Sequence, residues 1–320
     1  MIIGKLRNYL GEFRMYSKEH KQVLNALERK NEILMARIIR FVHSIEKGLS
    51  IESPRSEFGY EKIKTLYGYI NEYIKIKDID KTCIYMAADA LDAYLEYHKS
   101  IGVDSPKIQE VAQIALELKE IKEKDNVKGV YGGVKTINKS EMAFESDFVE
   151  NLFKTRHSIR QFSTEPVPDS LIEKAVELAQ NAPSACNRQA VRTYAMNSKK
   201  FIKNYPSNLQ GVGGFIEACD KVILITGKIS AYEEYEYKQF VVTAGIFAGY
   251  LTLALHGLGL GACVVQRSIR PNNEWHEFCN KNNIPTDEQL ICLVTVGKMN
   301  KTTVVPFSNR LSTDTILKWL

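Results

Sequence analysis

The chain has 320 residues, 44% of them hydrophobic and 25% charged, with a formal net charge of +5 from 43 basic and 38 acidic side chains. This is ordinary globular composition, long enough to bury one large core or two medium ones. The basic residues lie beside acidic ones, as in KIKDIDK and LKEIKEK, which marks solvated helix faces and argues against a nucleic-acid footprint.

The six cysteines form no C-x-x-C pair and have no histidine at zinc-ligand spacing, so no metal site is expected. Several stand in apolar runs, which suits free buried thiols in a reducing cytoplasm. The N-terminal MIIGKLRNYLGEFR lacks the apolar core and cleavage site of a secretory signal. A cytoplasmic protein is the expectation.

Residues 18–49 carry Val23, Leu27, Leu34, Ile38, Phe41, Ile45 and Leu49 at helical spacing, and IESPRSEFG ends that run. Residues 60–76, 81–101 and 105–124 repeat the period, and nothing among them alternates as a strand does. The frequent tyrosines read as helix-packing residues with their hydroxyls at the rim. NVKGVYGGVKTINKS, residues 126–140, is rich in Gly and polar residues and marks a boundary. The expected division is a helical domain over 1–140 and a second domain over 141–320.

The second part changes character. A short helix is expected over Phe148–Thr155, and another over LIEKAVELAQNA, capped by Asp169 or Ser170 with Glu173 near the capping-box position. TYAMNS, KVILITG and LICLVTVG read as strands. Val241 to Val265 carries no formal charge and is long enough to cross a bilayer. It holds five glycines, however, and breaks at G-L-G-L-G before ACVV, a short buried strand. A helix of roughly 237–256 packed in a core or a subunit interface, with no membrane span, explains it better. Interleaved helices and strands make this part α+β or α/β.

Three places gather chemistry. In R-H-S-I-R, Arg156 and Arg160 can point the same way from a helical turn or converge across a bend, and guanidinium forks suit phosphate. Ser158 adds a hydroxyl donor. In NAPSACNRQAV, Pro183 stops the preceding helix at or near Ala182, leaving Ser184, Asn187 and Gln189 as loop residues able to read a heterocycle edge. Cys186 as a nucleophile would need a histidine held nearby. In L-G-L-G-A-C-V-V-Q, helix precedes strand, the reverse of a dinucleotide fingerprint. Gly259 and Gly261 there permit a tight helix exit, after which backbone N–H groups can face a ligand. Arg310, in PFSNRLS, is a further basic group in a polar loop.

This ordered set, from RHSIRQF through APSACNRQ and LGLG to the C-terminal Arg, resembles the FMN-dependent nitroreductase family over roughly residues 150–320. The resemblance implies an α+β fold, a nitroreductase-like mixed sheet flanked by helices, preceded here by an all-helical N-terminal domain. It implies that Arg156, His157 and Ser158 hold the FMN phosphate and ribityl side, and that Arg160 reaches the ring and tunes it. Pro183, Ser184, Asn187 and Gln189 match flavin contacts, made across a dimer interface. Val264, Val265 and Gln266 approach the ring through backbone amides, and Arg310 is a phosphate ligand. The long helix would form the dimer core.

The implied activity is an FMN-dependent oxidoreductase with chemistry on the flavin and no protein acid or base. NADH or NADPH delivers hydride to flavin N5, and a small nitroaromatic or quinone-like acceptor then removes it. Two departures stand out. N-R-Q-A-V replaces the family's N-x-Q-P-W, and an Asn and a Lys common before the middle strand are replaced by the Gln210–Gly214 region, where Gln210 substitutes for the Asn. They leave open a biosynthetic dehydrogenase or a non-catalytic FMN-binding dimeric scaffold. The stretch His43–Ser50, HSIEKGLS, is similar to one in nitroreductase-like proteins encoded with surface-polysaccharide genes. It reads either as a helix end with Gly48 as C-cap or as a lid or partner surface near the flavin.

Overall fold

A computed structural model describes residues 30–138, 145–204, 211–212, 214–233, 235–236, 238–266 and 273–320. Four helices come first: α1 (Lys30–Leu49), α2 (Tyr60–Tyr73), α3 (Thr82–Ser100) and α4 (Pro106–Lys124). α4 starts where Ser105 accepts the Ile108 N–H and Pro106 occupies the first helical position. Leu34, Ile38, Val42 and Ile45 of α1 enter one buried cluster with Ile63, Leu66 and Ile70 of α2, Ala87 and Leu91 of α3, and Val111 and Leu118 of α4. The three-and-four spacing thus does what its period implies.

The tyrosines divide. Tyr60 and Tyr67 donate to Glu110 and Glu117, and Tyr85 donates to Asp125 at 2.9 Å. Tyr94 is fully buried with its hydroxyl unpaired. The rim reading therefore fails for Tyr94, which sits 4.1 Å centroid to centroid from the His98 ring. Gly48 is not a C-cap, because α1 continues to Leu49. It is small because the Phe58 ring lies 2.1 Å from where a Cβ would stand.

The segment after α4 is strapped to the helices. Lys122 Nζ donates to Asp89 at 2.6 Å and to the Gly129 carbonyl at 2.8 Å. The N–H of Tyr131 donates to Asp89 and that of Gly133 to Glu46. At Gly132 a Cβ would stand 2.3 Å from the Met86 carbonyl oxygen, so only glycine permits this approach.

The second part contains α5 (Ser146–Thr155), α6 (Asp169–Ala179), β1 (Val191–Asn197), α7 (Ser198–Asn204), β2 (Lys221–Lys228), α8 (Gln239–Gly257), β3 (Leu260–Val265), α9 (Asn273–Lys281), β4 (Glu288–Lys298) and α10 (Thr313–Ile316). The strands form one sheet in the order β1-β2-β4-β3, with every neighbouring pair antiparallel. The parallel component expected of a mixed sheet is confined, among the described residues, to the bridge between Ser158 and Ala262.

Alternation assigns the two faces. Val222, Leu224, Leu293, Cys263 and Val265 bury against Phe201, Phe278 and Ile284. Ile223, Ile225, Val294, Val296 and Ala262 bury against Ile172 and Ala175 of α6 and Phe247, Leu251 and Leu255 of α8. Both faces of the central strands are covered, which explains why KVILITG and LICLVTVG read as near-continuous apolar runs.

Two boundary expectations change. Pro168 occupies the N-cap of α6, so neither Asp169 nor Ser170 caps it. Asp169 is its first residue and instead pairs with Lys221 at 3.0 Å. α6 ends at Ala179, three residues before Ala182, because the Asn181 side chain donates to the Leu178 carbonyl and closes the last turn early.

α8 has hydropathy 1.6 over its most apolar window, enough by length and composition to cross a membrane. It lies on the sheet instead, with Ala244, Phe247, Ala248, Leu251 and Leu255 buried. Its other side exposes Val242, Ile246 and Tyr250.

Candidate functional site

The RHSIRQF segment is extended, neither a helical turn nor a bend. Ser158 bridges Ala262, the Ile159 N–H donates to the Ala262 carbonyl at 2.9 Å, and the Ser163 N–H donates to the Lys298 carbonyl. The segment runs beside β3 and β4. Ile159 and Phe162 turn inward onto Gly261 and Gly297, where a Cβ would stand 2.9 Å and 2.6 Å from them. Arg156, Ser158 and Arg160 are left on the more exposed side.

That side lines a cavity of about 170 Å³ with His157, Val305, Pro306, Ser308 and Arg310. Three guanidiniums, a histidine and two serine hydroxyls surround it, with no carboxylate among the described residues of the lining. Arg310 is oriented by its own loop, donating to the Ser308 carbonyl at 2.8 Å. The C-terminal loop is tied to the motif where Gln161 accepts the Val304 N–H. Behind the cavity, His256 accepts from or donates to Thr155 at 2.8 Å. Burial pushes its pKa down, and Arg156 and His157 push it further. A neutral ring there leaves the positive charge with the arginines. Such a donor set fits a phosphate group.

The end of β3 lies beside this region. Val265 is buried and Val264 half-buried, whereas Gln266 is exposed just after the strand. Gln210 lies outside the described residues. Cys263 sits in β3, and burial raises its thiol pKa against an opposing pull from Arg160.

The NAPSACNRQAV loop forms a different place. Pro183, Ser184 and Gln189 line a cavity of about 110 Å³ with Gln180, Ala182, Val191, Arg192, Thr243 and Phe247, and it shares no residue with the basic cavity. Asn187 is absent from that lining and turns within the loop, where its carbonyl accepts from Gln189 Nε2. Among the described residues, one chain therefore does not unite the two groups of candidates in either cavity.

The loop is strained. Cys186, Asn187 and Gln189 all take left-handed backbone conformations, with φ of 52°, 52° and 50°. Each costs an L-residue about 1–2 kcal/mol. Ser184 compensates from within: its carbonyl accepts the Asn187 N–H at 2.9 Å and its hydroxyl the Gln189 N–H at 3.1 Å.

Arg188 compensates from below. Its side chain is 2% exposed, donates to the Ala185 and Ala231 carbonyls, and pairs with both oxygens of Glu236. Its guanidinium also lies 4.3 Å from the Tyr232 ring centroid. The hydrogen bonds from Arg188 hold the Glu236 carboxyl below the usual carboxylate range. Sequence reasoning missed Arg188 because its partner lies 48 residues away. Cys186 is exposed, whereas the other five cysteines are buried.

The Nitroreductase family model matches residues 153–209 and 211–298, within the second part of the chain. An NADPH-dependent oxidoreductase of Staphylococcus aureus (strain N315) is 34% identical over 98 residues, which is 31% of this chain and 38% of that protein. The chain thus spans well under half the length of this curated relative. Among solved structures, an FMN-dependent nitroreductase from Clostridium difficile R20291 is 21% identical with a TM-score of 0.42, covering 50% of this chain and 92% of that one. A nitroreductase family protein from Streptococcus pneumoniae TIGR4 is 20% identical with a TM-score of 0.44, covering 54% and 100%.

Proposed function

We propose that this protein is a cytoplasmic, homodimeric, FMN-dependent NAD(P)H oxidoreductase acting on a small organic acceptor, with residues 1–140 as a helical domain and 141–320 as the flavin domain. The observation that carries the reading is the basic cavity that sets Arg156, Ser158, Arg160 and Arg310 together beside β3, with no carboxylate among its described lining residues. Bound FMN would supply hydride acceptance and donation. The chain's own residues would do the rest. Arg156, His157, Ser158 and Arg310 would hold the phosphate, and Arg160 would lend positive charge to the ring. The backbone of Val264, Val265 and Gln266 would border it.

The separation of the NAPSACNRQAV cavity from the basic one supports a dimer in which one chain's loop meets the other chain's cofactor. The apolar outer side of α8, with Val242, Ile246 and Tyr250, and the exposed Phe148 and Phe153 of α5 offer the surface for it.

The test is the absorption spectrum of the purified protein, before and after anaerobic NADH or NADPH. A yellow protein that bleaches, and recovers when a quinone is added, is expected. A protein that neither carries nor takes up FMN refutes the reading, and one that holds FMN but is reduced by neither nicotinamide refutes its catalytic part.

A further inference from the structure

Helix α1 has a second buried face. Besides its side in the helical core, Ala36 is 6% exposed in a cluster with Ala190, Ile229, Ala231, Tyr232 and Phe240. α1 touches both short turns of the second part, Ala185–Asn187 and Ile229–Ala231. Polar cross-links stand around this apolar contact. Lys228 pairs with Glu32. Arg37 donates through Nε and Nη2 to the two oxygens of Glu233 at 3.3 and 3.4 Å. Arg40 Nη1 lies 3.5 Å from the same carboxylate.

Glu233 is the junction. Its backbone N–H donates to Glu236 at 2.9 Å, and Glu236 is the carboxylate that clamps Arg188. Arg188 in turn holds the Ala185 carbonyl, at the start of the left-handed run. A continuous chain of charge-assisted contacts therefore runs from α1 to the strained loop. Two residues on, Ala190 is 2% exposed in the cluster that contains Ala36.

We infer that α1 is a positioning element for the 184–189 loop: Arg37 and Arg40 fix Glu233, and Glu233 and Glu236 fix Arg188 in the register that holds Cys186, Asn187 and Gln189 left-handed. The consequence for the cofactor rests on the FMN reading above. The loop's contacts would be preorganised by the helical extension, a job that the Pro and Trp absent at Ala190 and Val191 do not perform here. Preorganisation strengthens binding by removing the ordering cost from the binding step.

The experiment uses the full chain carrying Arg37→Gln with Arg40→Gln, beside Glu233→Gln alone and an exposed control, Lys107→Gln. Hydrogen exchange of the Asn187, Arg188 and Gln189 amides is read first, without added flavin. About fivefold faster exchange is expected in both test variants and none in the control, the factor expected from losing one partly buried ion-pair junction. FMN is then titrated by fluorescence quenching, and the visible circular dichroism of the bound flavin is recorded. About fivefold weaker binding and an altered flavin signal are expected in both test variants.

Unchanged exchange at 187–189 in a folded variant overturns the positioning role. Should the double variant fail to fold, Glu233→Gln decides by the same reading. Faster exchange in a protein that never binds FMN keeps the positioning role and overturns the flavin reading. Faster exchange with unchanged FMN affinity and an unchanged flavin signal overturns the link between the two.

Discussion

Replacing Arg310 with Ala removes one of three guanidiniums around the basic cavity without touching a core. Arg310 is exposed, and its hydrogen bond to the Ser308 carbonyl stays within its own loop, so folding should be little affected. A hydrogen bond from a charged group to phosphate contributes about 1.5–3 kcal/mol. Solvent screening at this open cavity reduces that to roughly 1–2 kcal/mol, or about 5- to 30-fold in a dissociation constant. The assay is a pair of titrations, FMN against riboflavin, which lacks the phosphate. FMN affinity should fall by that factor while riboflavin affinity stays the same, and the salt dependence of FMN binding should become shallower. Arg156→Ala should behave alike. An equal loss for both ligands would refute a phosphate role, as would unchanged FMN affinity in a protein that binds FMN.

Other outcomes follow from the same geometry. Ile246→Glu places a charge on the outer side of α8, where Ile246 is 38% exposed, and should convert a dimer into monomers by sedimentation without lowering helix content. Gly132→Ala drives a Cβ to 2.3 Å from the Met86 carbonyl and should cost about 1–3 kcal/mol in urea unfolding, because backbone must move. Glu46 has its pKa raised by burial, opposed by the Gly133 N–H and His43. Since the folded state favours the protonated form, its contribution is present below the ordinary value of 4.5 and is lost as pH rises through the raised one. Glu46→Gln should therefore gain stability over the wild type as pH climbs above about 4.5, and parallel unfolding curves would count against this.

What could be read from the sequence was whatever local periodicity encodes. The helices of the first part have one dominant buried stripe each, so their steps of three and four located α2, α3 and α4 to within a few residues, whereas Val23 and Leu27 of the first run lie outside the described residues. β2 and β4 were legible because both faces are covered and their side chains are apolar on both. RHSIR was legible as a basic motif but not as a conformation. The inward placing of Ile159 and Phe162, with Arg156, Ser158 and Arg160 left around the cavity, comes from pairing with Ala262, Lys298 and Met299, about a hundred or more residues later. Nothing within five residues distinguishes that from a helical turn.

The same limit explains α1. Ala36, Arg37 and Arg40 fall between its core positions, where a single-stripe helix places solvent-facing residues, so periodicity assigns them to water. Their partners lie more than 150 residues away, at Ala190, Glu233 and Tyr235. A residue's burial against a second body depends on that body's surface and leaves no period in its own helix. The altered N-R-Q-A-V loop did register in the sequence, but only as a missing Pro and Trp. The structure supplies the positive content: Arg188 and Ala190 turn inward, Arg188 onto Ala231, Tyr232 and Glu236, and Ala190 into the cluster that holds Ala36 of α1.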